Sequence, residues 1–200
     1  MNAFIDWTFS HNIELFATFF GVIYILFSIR QHIFTWPTGI ITSLLYCWVF
    51  FDAKFYAGMS LQCYYVIISG YGWWNWRHGG RNGSDSKKLQ VSFTNTKLWT
   101  GLFFLNVFLT LLIYYILGKY TDSPLPFGDA LTTSLSIIAT WMLARKKIEH
   151  WLIWIFIDLV CIMLYLYRGL YPTAFLFMIY TIMAGIGFYE WRKETEKMPC

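Results

Sequence analysis

The stretch Glu149-His150-Trp151-Leu152-Ile153-Trp154-Ile155-Phe156-Ile157-Asp158 opens an apolar segment that runs on to Arg168 and is long enough to cross a bilayer. Its one carboxylate lies near the middle, seven residues after Trp151 and four after Trp154. Insertion scales make an aspartate at the centre of a membrane helix about 2.5–3.5 kcal/mol unfavourable, so Asp158 is expected to face a polar cavity or a partner and not lipid. Spacings of three, four and seven residues return to one helical face, which puts both tryptophans on the side of Asp158. A carboxylate and flat aromatic rings on one face suit a cationic aromatic ligand.

The remaining sequence matches that segment in character. Of 200 residues, 58% are hydrophobic and only 13% charged, with a mean hydropathy of +0.49, outside the usual range for a soluble domain. Runs free of Asp, Glu, Lys and Arg occur at 15–29, 31–51, 55–76, 98–118, 130–144 and 169–189, and the segment 150–167 is broken only by Asp158. These runs predict an all-α membrane protein of seven transmembrane helices. The first residues carry Asp6 and Glu14 and lack the basic start of a cleavable signal.

Orientation follows from the basic residues. With the N-terminus outside, the inner segments hold Arg30, Arg77, Arg81, Lys87, Lys88, Lys97, Arg145, Lys146, Lys147, Arg192, Lys193 and Lys197, and only Lys54, Lys119 and Arg168 remain outside. This positive-inside bias predicts a periplasmic N-terminus and a cytoplasmic C-terminus. It also makes the net charge of +4 a topological signal and gives no support to nucleic-acid binding. Cys47, Cys63 and Cys161 fall inside spans and Cys200 ends the tail, so neither a disulfide framework nor a zinc spacing is expected. His11, His32, His78 and His150 lie at or beyond helix ends without a carboxylate or cysteine cluster, and no metal or other cofactor is expected.

Sliding the chain by 115 positions pairs Ile23 with Ile138, Arg30 with Arg145, Trp36 with Trp151, Tyr65 with Tyr180, Gly70 with Gly185, Gly72 with Gly187 and Trp76 with Trp191. Two copies of a three-helix unit therefore flank one unpaired helix. Three spans reverse the side of the chain, so a fourth must cross before the second copy starts from the same side as the first. The expected organisation is a first repeat over 1–78, a flexible Gly- and Ser-rich cytoplasmic linker over 79–96, a linking helix over 97–120, a second repeat over 121–193 and a tail over 194–200. Parallel halves of this kind resemble the SWEET type of transporter, with a path expected at their interface near mid-membrane.

Tyr71-Gly72-Trp73-x-x-Trp76, Pro126-Phe127-x-Asp129, Arg145-Lys146-x-x-Glu149-x-Trp151-x-x-Trp154 and Gly169-Leu170-Tyr171 together resemble the Pnu family of bacterial vitamin transporters. The resemblance covers essentially all seven helices. It implies a 3+1+3 inner-membrane facilitator working without ATP or ion coupling, whose substrate is trapped inside by a cytoplasmic vitamin kinase, and it points to homotrimers. The family has nicotinamide riboside (PnuC) and thiamine (PnuT) branches and a proposed riboflavin branch. Thr121-Asp122-Ser123, Trp141-Met142-Leu143-Ala144-Arg145-Lys146 and Gly169-Leu170-Tyr171-Pro172-Thr173-Ala174 look more like the thiamine carriers, so facilitated diffusion of thiamine is the leading expectation and nicotinamide riboside the alternative.

By position, the resemblance places the substrate site on Gln62 of helix three and on Trp151, Trp154 and Asp158 of helix six. Some riboside carriers have Asn at this last position. Trp36 joins the candidates as the repeat mate of Trp151, and Tyr65 and Tyr180 as repeat mates within helices three and seven. Each has an ordinary structural reading as well: tryptophans at membrane boundaries are common, and most membrane tyrosines pack. The glycines at 70, 72, 185 and 187 read as packing or hinge positions. A membrane enzyme would need a nucleophile with a base or a ligand set, which Asp158 alone does not supply. No Gly-x-x-x-x-Gly-Lys loop is present to use ATP directly.

Overall fold

In the computed structural model the described residues are 2–52, 56–79, 89–121, 125–167, 169 and 171–196, with side chains described from residue 16 onward except at 56, 57 and 172. Several sequence expectations fall outside them in part: the linker centre at 80–88, the loop residues 122–124, Leu170 of the Gly-Leu-Tyr motif, and the last four residues with Cys200. The chain is an all-α, seven-helix membrane protein. Its helices are α1 (Asn2–Ile29), α2 (Thr35–Asp52), α3 (Tyr56–His78), α4 (Thr96–Tyr120), α5 (Pro126–Ala144), α6 (His150–Tyr167) and α7 (Tyr171–Glu196).

Boundaries differ from the sequence expectation where charge was taken to end a helix. α1 continues back through Asp6 to Asn2, because a charged residue ends an apolar run without ending a helix. α5 begins at Pro126 and not near residue 130. Proline fixes φ for a first turn and gives up an N–H that would have had no helical partner. Asp129 in that turn is stabilised by the positive end of the helix dipole.

Four helical stretches are long and apolar enough to cross a membrane by length and composition alone: α4, α5, α6 and Thr173–Glu196 of α7. α2 carries Trp, Tyr, Gly, Ser and Thr among its apolar residues, and α3 carries Trp, Tyr, Gly and Ser. Such residues suit the interfaces and close helix contacts of a membrane bundle, and they lower a mean without preventing a span.

The chain forms two compact units, Met1–Leu89 and Gln90–Cys200. In the first, α2 packs between α1 and α3. Gly39 makes room for this: a Cβ there would lie 3.0 Å from the Tyr24 ring of α1 and 3.2 Å from Ser69 Oγ of α3. In the second, α4 packs on α5, α5 on α6, and α6 on α7. The α4–α5 seam holds a buried polar knot in which the Thr110 and Ser134 hydroxyls lie 2.7 Å apart and Ser134 donates to Asn106 Oδ1 at 3.0 Å. In a bilayer such groups must be satisfied within the protein.

The repeat seen in sequence extends to the backbone of the turns. After α1, His32 N donates to Phe27 O (2.9 Å) and Gln31 N to Ser28 O (3.1 Å); after α5, Lys147 N donates to Met142 O (2.9 Å) and Lys146 N to Leu143 O (2.9 Å). Both are Schellman closures of a helix C-terminus. The residue such a motif holds in the left-handed region is Gln31 in one and Lys146 in the other, each with φ 50° and neither a glycine. The next helix then starts alike. Thr35 Oγ1 donates to His32 O at 2.7 Å before α2, and His150 Nδ1 lies 2.7 Å from Lys147 O before α6.

The stretch 79–96, expected as a flexible linker, is fixed where it is described. Ser92 N donates to Lys146 O (3.0 Å) and Ile148 N to Ser92 O (3.2 Å), so residues around 92 lie as a short strap along the α5–α6 turn. Val91 is buried, and Asn95 caps α4 by accepting from Leu98 N at 2.8 Å. Glycine and serine between 79 and 86 dominate the composition of the stretch, whereas 91–95 reads Val-Ser-Phe-Thr-Asn, with β-branched and aromatic residues suited to extended chain.

Candidate functional site

α6 is the central helix of the second repeat, in contact with both α5 and α7. Asp158 is 4% exposed on it. Four residues earlier, Trp154 is half-buried and packs against a cluster of Ala139, Ile157 and Cys161. One turn after Asp158 comes buried Cys161, whose thiol lies within electrostatic reach of the carboxylate and of Asp129 at the start of α5. Among the described residues none gives Asp158 a hydrogen bond or an ion pair. A carboxylate taken out of water without a counter-charge is several kcal/mol unfavourable.

Aromatic rings continue beyond it. Tyr165 of α6 meets Phe177 of α7 at 5.2 Å between centroids, and Phe177 meets Tyr180 edge-on at 5.7 Å. Trp154 and the Tyr165–Phe177 pair pack on the same small core of the second unit, and Tyr180 joins it through Phe177.

Trp151 stands apart in role although it shares their helical face. It is 4% exposed and lies over Gly187 of α7. Its ring meets Trp191 edge-on at 5.9 Å and 87°, and His150 at 4.5 Å. Trp36 does the same in the first unit, fully buried over Gly72 and edge-on to Trp76 at 5.1 Å and 86°. The indole N–H of each tryptophan, with His150 Nε2, finds no partner among the described residues. In this conformation both indoles are packing knobs enclosed by protein.

Gln62 and Tyr65 are half-buried on α3 of the first unit. Tyr65 lies beside Tyr64, 5.8 Å between rings, and both are within electrostatic reach of Tyr24 on α1. Trp36, over Gly72, is seven to ten residues further along α3 from this pair, or about 10–15 Å at 1.5 Å per residue. The seven candidates therefore form two levels in each repeat: a Trp–Gly–Trp knot at the helix ends, and a polar and aromatic level with Gln62 and Tyr65 in one unit and Asp158, Trp154 and Tyr180 in the other.

Sequence reading passed over two features of this region. His150, at the first residue of α6, sits fully buried between Trp151 and Trp191. Its place immediately before the repeated tryptophan, matching buried Thr35, is the signal that would have found it. Glu149 binds the strap through both carboxylate oxygens. Among the described residues no group of three or more His, Cys, Asp or Glu is placed to hold a metal ion.

Seven helices, with a buried carboxylate in the middle of α6, make this a multi-pass membrane protein. A family profile described as nicotinamide mononucleotide transporter matches residues 11–193, and the chain belongs to that family. It is similar to the nicotinamide riboside transporter PnuC of Escherichia coli, 25% identical over 201 residues that cover 90% of this chain and 84% of that one. It is also similar to the riboflavin/roseoflavin transporter RibM of Streptomyces davaonensis, 23% identical over 179 residues covering 89% and 83%. The fold matches the crystal structure of the vitamin B3 transporter PnuC with a TM-score of 0.73, at 22% identity over 92% of this chain and 81% of the other. These relatives are named for nicotinamide riboside and riboflavin, and so do not support the thiamine branch expected from the helix-five and helix-seven motifs.

Proposed function

We propose that this protein carries nicotinamide riboside into the cell across the inner membrane, by facilitated diffusion and alternating access. The observation that carries the reading is Asp158, a buried carboxylate in the middle of α6 with no hydrogen bond or ion pair from any described residue. The nicotinamide ring of the riboside is a pyridinium, a flat cation that Asp158 would neutralise while Trp154 stacks on it. Riboflavin, which the streptomycete relative is named for, is neutral near pH 7 and leaves such a carboxylate uncompensated. Tyr180, in the same unit, suits a ribose hydroxyl as donor and acceptor. Trp36 and Trp151 then act by holding the helices that carry the contacts.

A facilitator accumulates its substrate only if something removes it inside, so a cytoplasmic kinase that phosphorylates the riboside completes the scheme. The N-terminus is periplasmic and the C-terminus cytoplasmic in this reading, on the positive-inside bias. A homotrimer is the assembly it adopts.

Titration of the purified protein with nicotinamide riboside, thiamine and riboflavin, followed by intrinsic fluorescence, tests the proposal. Its 11 tryptophans supply the signal. Saturable quenching by the riboside at the lowest concentration of the three is expected, weakened about tenfold or more in Asp158→Ala and Trp154→Ala. Tighter quenching by thiamine restores the thiamine branch, and tighter quenching by riboflavin defeats the cation reading altogether.

A further inference from the structure

The second repeat carries a contact that the first lacks. Glu149, the residue before α6, accepts from Thr94 N at 2.7 Å through Oε1 and from Thr94 Oγ1 at 2.8 Å through Oε2. Both are short, as charge-assisted bonds are. Lys147 adds to the same junction, its ammonium donating to Ser92 Oγ and to Phe93 O, each at 3.0 Å. With the two backbone bonds of Ser92, residues 92–94 are held to residues 146–149 by six polar contacts.

The first repeat shows what this arrangement is not for. Its α1–α2 turn has the same Schellman closure, a left-handed residue at the same place, and a side-chain contact from the first residue of the next helix to the same backbone position. At the position of Glu149 it has Phe34, 54% exposed. A carboxylate is therefore not required to form the turn. What Glu149 adds is an attachment for the strap that leads into α4. Among the described residues the neighbour of α4 is α5, with Ile153 of α6 packed against the cluster that Leu102 of α4 forms with Ile138 and Met142, and the strap adds a polar tie from the start of α4 to the start of α6.

We propose that Glu149 is a positioning residue for transport: its carboxylate fastens the strap before α4 to the first turn of α6 and so fixes the helix that presents Asp158 and Trp154. The proposal rests on the reading of Asp158 as the counter-charge to the substrate. Glu149 lies nine residues before Asp158, about 13 Å along the helix, too far to touch the same ligand group. Its effect passes through the setting of α6.

The test uses Glu149→Gln, Thr94→Val and Thr94→Ser in the full-length protein. Valine keeps the shape of threonine and loses only the hydroxyl; serine keeps the hydroxyl. Two measurements are made on each: hydrogen–deuterium exchange of the protein in detergent, and initial uptake of nicotinamide riboside into proteoliposomes over a range of concentrations. Glu149→Gln and Thr94→Val are expected to speed exchange at 91–95 and across the first two turns of α6. They are also expected to lower the maximal uptake rate about fivefold while moving the half-saturating concentration less than about twofold. Thr94→Ser should return both readings toward those of the parent. Unchanged exchange at 91–95 overturns the proposal, as does faster exchange with parental uptake. A rise in half-saturation at constant maximal rate also overturns it, because Glu149 would then act on the ligand. A parent that takes up no nicotinamide riboside defeats the functional reading instead, and the exchange of α6 in the variants still decides the clamp.

Discussion

Trp151 lies so close over Gly187 that a Cβ on the glycine would come within 2.6 Å of the indole, and Trp36 covers Gly72 more closely still. The second glycine of each pair, 70/72 and 185/187, is thus a notch into which the tryptophan of the preceding helix is set. Alanine at either notch must displace a fully enclosed ring, which places it among overpacking substitutions of about 1–3 kcal/mol. Gly70 and Gly185, two residues earlier, meet nothing within 4 Å. Gly72→Ala and Gly187→Ala are expected to lower the thermal midpoint of the detergent-solubilised protein by several degrees, while Gly70→Ala and Gly185→Ala leave it level or raise it slightly. Equal effects at all four positions would contradict the notch.

This contrast shows how far the sequence reaches. The seven helices were legible because a bilayer demands long charge-free runs. The repeat was legible because a glycine notch and its tryptophan constrain residue type so tightly that they recur at a fixed offset. Which glycine of each pair forms the notch was not legible, since that depends on the rotation of α2 against α3 and of α6 against α7. The same limit applies to Trp36 and Trp151. Their spacing put Trp151 on the face of Asp158, yet their depth over a neighbouring helix, and hence their enclosure, is a tertiary property. The strap at 91–95 was hidden by the glycine-rich residues before it, and its partner Glu149 is 55 residues from Thr94.

Gln31 and Lys146 occupy the left-handed region without being glycine. A β-branched side chain there meets the backbone and adds roughly 1–2 kcal/mol of strain, whereas asparagine adopts the conformation readily. Gln31→Val should therefore destabilise the protein measurably by thermal melting, and Gln31→Asn should not. A valine variant that melts with the parent would remove the positive φ from the account.

In the first unit, Cys47 of α2 and Cys63 of α3 have their sulfurs 3.8 Å apart, and both are free thiols. A disulfide bond is about 2.05 Å, reached from that separation by small side-chain rotations. Mild oxidation with copper phenanthroline is expected to join the two, seen as a cross-linked peptide pair by mass spectrometry and lost in Cys63→Ser. Failure to link under conditions that oxidise an exposed control pair would mean that α2 and α3 are set differently.

The central claim is that Asp158 selects its substrate by charge. It is tested most directly by comparing the binding of nicotinamide riboside with that of its dihydro form, which differs by one hydride and has a neutral ring. Isothermal titration calorimetry on the parent and on Asp158→Asn supplies both numbers. A charge-assisted contact contributes about 1.5–3 kcal/mol, so the parent is expected to bind the cation at least about tenfold more tightly than the neutral form, with the preference lost in Asp158→Asn. Equal affinity for the two forms in the parent, or a preference for the cation that survives in Asp158→Asn, would contradict the account.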